Sequence, residues 1–122
     1  MGRRSRQRDQ REKLSAPTTD YRDADGNVLT LRGALTPATR REYAAVQGGS
    51  GRAGSNQEDA WHRAVEFLFE RLAVRWVVAD VPVERPKELL ARFRVASQAE
   101  RAWIRDVLRE HLAECFPELE AP

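Results

Sequence analysis

The stretch of residues 57–78 constrains the fold most, because it carries one continuous apolar stripe at helical spacing. The stripe consists of Trp61, Val65, Leu68, Leu72 and Trp76. Steps of three and four residues place these side chains on one face of a helix with 3.6 residues per turn. The pattern predicts a single amphipathic helix from about residue 57 to about residue 78, with its apolar stripe at the centre of the core.

The end of this helix has a second interpretation. Residues 74–83 are rich in valine, and β-branched side chains favour strands. We favour a helix to about residue 78, followed by a loop through Pro82 and Pro86. A strand over residues 74–83 stays open as the alternative.

Capping patterns mark the starts of two further helices. Thr36 is followed by Pro37, which suits an N-cap and a first helical position, and predicts a short helix to about residue 46. Ser97, three residues before a glutamate, fits a capping box and predicts a helix over residues 98–115. The expected buried face of that last helix is Ala99, Trp103, Val107, Leu108, His111, Leu112 and Cys115.

Residues 18–33 contain a β-hairpin signal. Asp25, Gly26 and Asn27 are turn residues, since glycine and asparagine tolerate positive φ. A two-stranded hairpin is marginally stable alone. We therefore expect this hairpin to pack on the helices or to join the sheet of a partner.

Together these patterns predict a mainly α fold, a small bundle of three to four helices with an N-terminal β-hairpin. The expected organisation is a disordered basic tail (1–17), a hairpin and short helix (18–47), a glycine-rich linker (48–56), a helical domain (57–116, including a short helix over 87–95) and a final tail (117–122). The linker formally matches a dinucleotide fingerprint, but no strand is expected before it, so we interpret it as a flexible joint.

The positive charge is concentrated at the start of the chain. The formal net charge is +2, whereas residues 1–13 alone carry six basic and two acidic groups. The basic residues are Arg3, Arg4, Arg6, Arg8, Arg11 and Lys13. Such a tail attracts polyanions, but it has no aromatic side chains on which bases could stack. A nucleic-acid-binding accessory or regulatory protein that uses this tail is the alternative function.

Few residues have the spacing of a catalytic or metal site. His111 and Cys115 lie four residues apart, but zinc needs further ligands, and His62 is the only other histidine. We expect a core histidine and a buried thiol, no enzyme, no cofactor and no metal. The single cysteine and the absence of a long apolar run predict a cytoplasmic protein that does not enter membranes.

A protein-interaction or assembly protein is the function these features favour. The hairpin is too small to stand alone, and the helical body is rich in aromatic residues. The predicted partner-binding residues are Val28, Leu29, Leu31, Trp76 and Val81. A helix-turn-helix regulator built on residues 87–115 is less suitable, because the last helix is acidic.

The run Asp25-Gly26-Asn27-Val28-Leu29-Thr30-Leu31-Arg32-Gly33-Ala34-Leu35-Thr36 resembles the opening of small tail assembly chaperones from actinobacterial phages. The helix ending in Trp76, the proline loop and the leucine-rich helix after it are similar to their C-terminal part. The resemblance covers roughly residues 20–112. It implies a non-catalytic helper that binds tape measure and tail tube subunits. The basic tail is not part of this pattern, so a host origin also stays open.

Overall fold

A computed structural model describes residues 17–48 and 57–122. Their elements are β1 (Thr18–Arg22), β2 (Val28–Arg32), α1 (Pro37–Gly48), α2 (Gln57–Leu72), β3 (Ala73–Val78), β4 (Val81–Val83), α3 (Pro86–Arg94) and α4 (Gln98–Cys115). The predicted mainly α bundle is wrong, because the four strands form one antiparallel sheet in the order β1-β2-β3-β4. The predicted basic tail up to residue 16 and nearly all of the predicted linker lie outside the described residues.

The predicted helix is wrong beyond Leu72, and residues 74–83 form two strands joined by a turn at Ala79 and Asp80 instead of the single strand of the alternative. Helix α2 stops at Leu72, and β3 begins at the next residue. The valine-rich chain there pairs with β2, and Trp76 lies opposite Leu29. Main-chain hydrogen bonds to β2 and the burial of Trp76 stabilise the strand, so this tertiary pairing overrides the helical spacing. Trp76 reaches the core, at 1% exposure, from a strand and not from a helix.

The helices cover one face of the sheet. One row of facing residues runs across the four strands through Tyr21, Leu29, Trp76 and Val83. The first and last are half-buried, and the two central residues are buried. The alternate row, which ends in the exposed Pro82, contains no buried residue. Alternation of this kind gives a two-layer fold, with helices on one side and an open sheet face on the other.

The β3–β4 turn explains why the sequence did not reveal this hairpin. Ala79 and Asp80 both have positive φ, 50° and 66°. Turns of this kind usually carry asparagine or glycine. The turn is instead fixed from outside, since the Ala79 N–H donates to the Asn27 side-chain oxygen at 3.0 Å. Asn27 also donates to Asp23 Oδ2 at 2.8 Å, and thus links the two hairpin turns.

An aromatic cluster joins α2, α3 and β3. The Phe69 ring stacks on Phe93 with centroids 4.9 Å apart, and it meets the Trp76 ring edge-on at 5.8 Å. Arg92 covers the other side of Trp76, with its guanidinium carbon 4.8 Å from the ring centroid. These rings fill the space between the sheet and the helices.

The predicted helix caps are confirmed. Thr36 Oγ1 accepts a hydrogen bond from the Thr39 N–H at 3.1 Å, and Ser97 forms the complete capping box with Glu100. Burial opposes the ionisation of Glu100. The hydrogen bonds from Ser97 and Arg92 outweigh that effect and lower the pKa of this carboxyl. The cap therefore fixes the start of α4 and connects it to α3.

Helix α4 differs in part from its predicted buried face. Val107, Leu108, His111 and Leu112 are buried as predicted, and Ile104 joins them. Of the other predicted residues, Ala99 is exposed, and Trp103 and Cys115 are half-buried. The buried stripe is thus shifted toward Ile104, which packs in the same core cluster as the residues of α2.

Candidate protein-binding groove

A cavity of about 280 Å³ opens between α2, the end of α3 and the first half of α4. We call it the Trp61 groove. Among its lining residues are Trp61, Val65, Phe93, Arg101, Ala102 and Arg105. It is small for a drug-like ligand, but it can hold one large side chain of a binding partner.

The floor of the Trp61 groove is apolar. Trp61 and Val65 are one turn apart on α2, and Phe93 reaches the groove from the last turn of α3. Val65 and Phe93 are buried, at 5% and 4% exposure, whereas Trp61 is half-buried. Trp61 therefore belongs both to the predicted stripe and to an accessible surface.

Two arginines from α4 form one wall of the groove. The Arg105 guanidinium carbon lies 4.2 Å from the Trp61 ring centroid, and that of Arg101 lies 5.3 Å from the Phe93 centroid. Both distances are typical of cation–π contacts. Because the two arginines are four residues apart on one helix, their guanidinium groups face the same side.

The main-chain contacts of these arginines leave part of their hydrogen-bonding capacity unused. Arg101 Nη2 donates to the Arg94 carbonyl at 2.7 Å, and Arg105 Nε donates to a main-chain oxygen of Pro122 at 3.3 Å. Arg101 Nε is buried and has no hydrogen-bond partner within the described part of the chain. Because this nitrogen is buried, a ligand that accepts hydrogen bonds would bind the terminal nitrogens of the guanidinium instead.

Side-chain carboxylates pair with several other arginines, but not with these two. The ion pairs found within the described residues are Arg40–Glu118, Arg71–Glu42, Arg75–Glu84, Arg92–Glu100 and Arg94–Glu66. Neither groove arginine takes part in any of them. The Trp61 groove thus combines an apolar floor with two positive charges that no side-chain carboxylate of the described residues pairs with. This combination suits a ligand that carries both an apolar group and a carboxylate.

The structure gathers three of the predicted partner-binding residues in the core and leaves the other two apart from them. Leu29, Leu31 and Trp76 are core residues with exposures of 0%, 0% and 1%, so they offer no surface to a partner. Val28 is half-buried in the row of the open sheet face, and Val81 is 62% exposed beside the β3–β4 turn.

Arg101 and Arg105 are not among the site residues predicted from the sequence. Their four-residue spacing on a predicted helix was a visible signal. Nothing in the sequence showed, however, that this face of α4 would meet Trp61.

The predicted nucleic-acid-binding residues lie outside the described residues. They are Arg3, Arg4, Arg6, Arg8, Arg11 and Lys13. Their interaction with nucleic acid stays a prediction.

His111 connects α4 to the sheet. Its Nε2–H donates to the Arg32 carbonyl at 2.6 Å, and its Nδ1 accepts from the Tyr21 hydroxyl at 2.9 Å. We assign this neutral tautomer from the two partners. Cys115 Sγ lies 3.9 Å from the same Nδ1. Both ring nitrogens are occupied, so His111 has a structural role here and has no nitrogen available for a metal ion.

The two tyrosines of the chain should lose their protons at a higher pH than a free tyrosine does. Burial, and secondarily the negative charges of Glu114 and Glu110, raise the pKa of Tyr21 from 10.0 to about 12. Burial likewise raises the pKa of Tyr43 from 10.0 to about 12. The fold favours the neutral phenols, so their contribution to stability is complete below pH 10 and is lost as the pH rises from about 10 to about 12.

A spectrophotometric titration of tyrosinate checks this prediction. The folded protein should show a midpoint near pH 12, and the protein in denaturant should show one near pH 10. Coincident midpoints near pH 10 under both conditions would contradict the buried positions of these phenols.

No protein-family model matches this chain, and no curated protein or solved structure is similar enough to count as a relative. The resemblance to phage tail assembly chaperones therefore stays a prediction. Within the residues that the structure describes, no helix is long and apolar enough to cross a membrane.

Proposed function

We propose that this chain is a non-catalytic helper protein that binds a segment of another protein in the Trp61 groove. The observation that carries the proposal is the pairing of an apolar, accessible floor with two arginines outside the described ion pairs. Within this class, the resemblance in sequence favours a phage tail assembly chaperone whose partners are tail structural subunits. The single cysteine supports a cytoplasmic site of action.

The chemistry of the groove specifies the partner segment. A large apolar side chain can enter beside Trp61 and Val65, where it would be shielded from water. Carboxylates on either side of it can bind Arg101 and Arg105, because arginine presents several N–H donors in a planar arrangement. We therefore expect an acidic segment with an exposed aromatic or leucine side chain.

A binding assay with synthetic peptides tests this proposal. The probe is a fluorescently labelled peptide of alternating glutamate and leucine with one central phenylalanine. The control probe has glutamine in place of every glutamate. The acidic peptide should bind saturably, and the amide peptide should bind at least about fivefold more weakly, because it cannot form charge-assisted hydrogen bonds.

Matched substitutions on α4 assign the binding to the groove. Arg101→Gln and Arg105→Gln together should weaken the acidic peptide by about fivefold or more. Arg109→Gln removes the same type of charge from an exposed position on the same helix, outside the groove, and should change the affinity less than twofold. Equal effects of the groove and control substitutions would overturn the assignment.

A further inference from the structure

We propose that residues 117–122 act in cis as a pseudo-ligand that competes with an acidic partner segment for the Trp61 groove. We call these residues the strap. This inference rests on the proposed function, since it concerns the regulation of the same groove. Three observations carry it: the path of the strap, the composition of the strap, and Arg105, which contacts both the strap and the Trp61 groove.

The strap folds back after α4 and is anchored at its first residues. Phe116, just before it, is 1% exposed, and the Arg40 guanidinium carbon lies 5.4 Å from its ring centroid. Glu118 pairs with the same Arg40, and Leu119 packs against the core. The chain therefore reverses direction at the end of α4 and runs toward α1.

The later strap residues are held mainly through main-chain carbonyls. The Tyr43 hydroxyl donates to the Glu120 carbonyl. Gln47 Nε2 donates to the carbonyls of Glu120 and Ala121 at 3.2 and 3.5 Å. The side chains of Glu120 and Ala121 are exposed. Because these contacts are made to main-chain atoms of the strap, they do not depend on the side chains of the strap. Extended peptides are often bound through their main chain in the same way.

Arg105 connects the strap to the Trp61 groove. Its guanidinium lies over the Trp61 ring, and its Nε donates to a main-chain oxygen of Pro122. This contact occupies the Nε edge of the guanidinium, which a carboxylate would need for a bidentate, side-on bond. It also holds the guanidinium over the ring face that an incoming apolar side chain would cover. The bound strap therefore opposes full occupation of the groove.

The composition of the strap matches the partner chemistry inferred from the groove. The run Glu118-Leu119-Glu120 alternates carboxylates with a leucine, and the leucine points into the protein while Glu118 pairs with an arginine. The strap thus carries the acidic and apolar pattern inferred for the partner segment, while its Glu118 and Leu119 side chains are bound by Arg40 and the core and not by the groove. An acidic segment of a partner can displace it by offering a carboxylate to Arg105.

Removal of the strap tests the inference in the otherwise unaltered chain. A variant that lacks residues 118–122 should bind the acidic glutamate–leucine peptide about three- to tenfold more tightly, because the competing hydrogen bond between Arg105 and Pro122 is gone. The deletion also removes two negative charges. The matched control is therefore Glu110→Gln with Glu114→Gln, which removes two exposed carboxylates of α4 and should change the affinity less than twofold.

A point substitution and an exchange measurement make the test independent of the deletion. Glu118→Gln breaks the pair with Arg40 and should strengthen binding in the same direction, by a smaller factor. In the unaltered protein, saturation with the acidic peptide should accelerate amide hydrogen exchange at Leu119, because displacement of the strap breaks the hydrogen bond from the Leu119 N–H to the Phe116 carbonyl, which measures 2.9 Å.

The outcomes separate the two proposals. Equal peptide affinity with and without the strap, or weaker binding after its removal, overturns the pseudo-ligand inference and leaves the groove proposal intact. Binding of the acidic peptide by none of these proteins overturns both. Tighter binding by the deletion variant and by the charge-matched control alike shows a general charge effect, and also overturns the inference.

Discussion

Replacing Trp76 by alanine should lower the free energy of unfolding by about 3–5 kcal/mol, the usual cost of truncating a large buried aromatic side chain. Trp76 is 1% exposed, and it contacts both Phe69 and Arg92. Its loss leaves a cavity between β3, α2 and α3. A domain of this size has a total stability of only about 5–15 kcal/mol, so the variant should be partly unfolded or close to it.

Urea denaturation of the wild type and of two variants measures this effect. Trp76→Phe keeps a ring at the site and removes an indole N–H that has no hydrogen-bond partner among the described residues. It should recover a large part of the lost stability, because an unpaired buried donor is costly. A midpoint shift equivalent to less than about 1 kcal/mol for Trp76→Ala would contradict the core position of this residue.

Replacing Leu29 or Leu31 by alanine should cost about 2–5 kcal/mol each, as for other buried leucines. Both side chains have 0% exposure and belong to the core beneath the helices. The same strand supplies the control. Val28→Ala, a half-buried position that faces away from the helices, should cost much less, about 1 kcal/mol or below.

Thermal or urea melts of the three variants decide between a core role and a partner-binding role for β2. If Leu29→Ala and Leu31→Ala lose no more stability than Val28→Ala, the two leucines are not core residues. The sequence-based prediction that they contact a partner would then be supported. The structure predicts a clear difference between the two groups.

The parts of the fold that depend on local chemistry could be predicted from the sequence. Ser97 with Glu100, and Thr36 with Pro37, marked the starts of α4 and α1, because a cap is formed by residues close in the chain. The end of α4 at Cys115 follows from Pro117, which cannot continue a helix.

The second hairpin could not be predicted in the same way. Strand β3 exists because β2, more than 40 residues earlier, pairs with it, and a helical spacing of apolar residues concealed this non-local contact. Its turn uses Ala79 and Asp80, which lack the usual sequence signal and are held by Asn27 of the first hairpin. The error in fold class follows from these two facts.

The candidate site could not be predicted from the sequence for a related reason. The sequence predicts a core position for Trp61 and a helix over residues 98–115, but the contact between them is tertiary. It predicts a tail over residues 117–122, because Glu118, Leu119 and Glu120 have no local structural signal. Their contacts are with Arg40, Tyr43 and Gln47 of α1, which only the folded chain brings near.

The most direct test of the groove as a protein-binding site is an NMR titration that follows the indole N–H signals of the three tryptophans. Trp61 lines the groove, whereas Trp76 is buried in the core. Upon addition of the acidic peptide, the Trp61 signal should shift saturably, and the Trp76 signal should stay nearly unchanged. The amide peptide should produce no comparable shift. An unchanged Trp61 signal under conditions in which the acidic peptide binds would place the binding surface elsewhere and contradict the proposal.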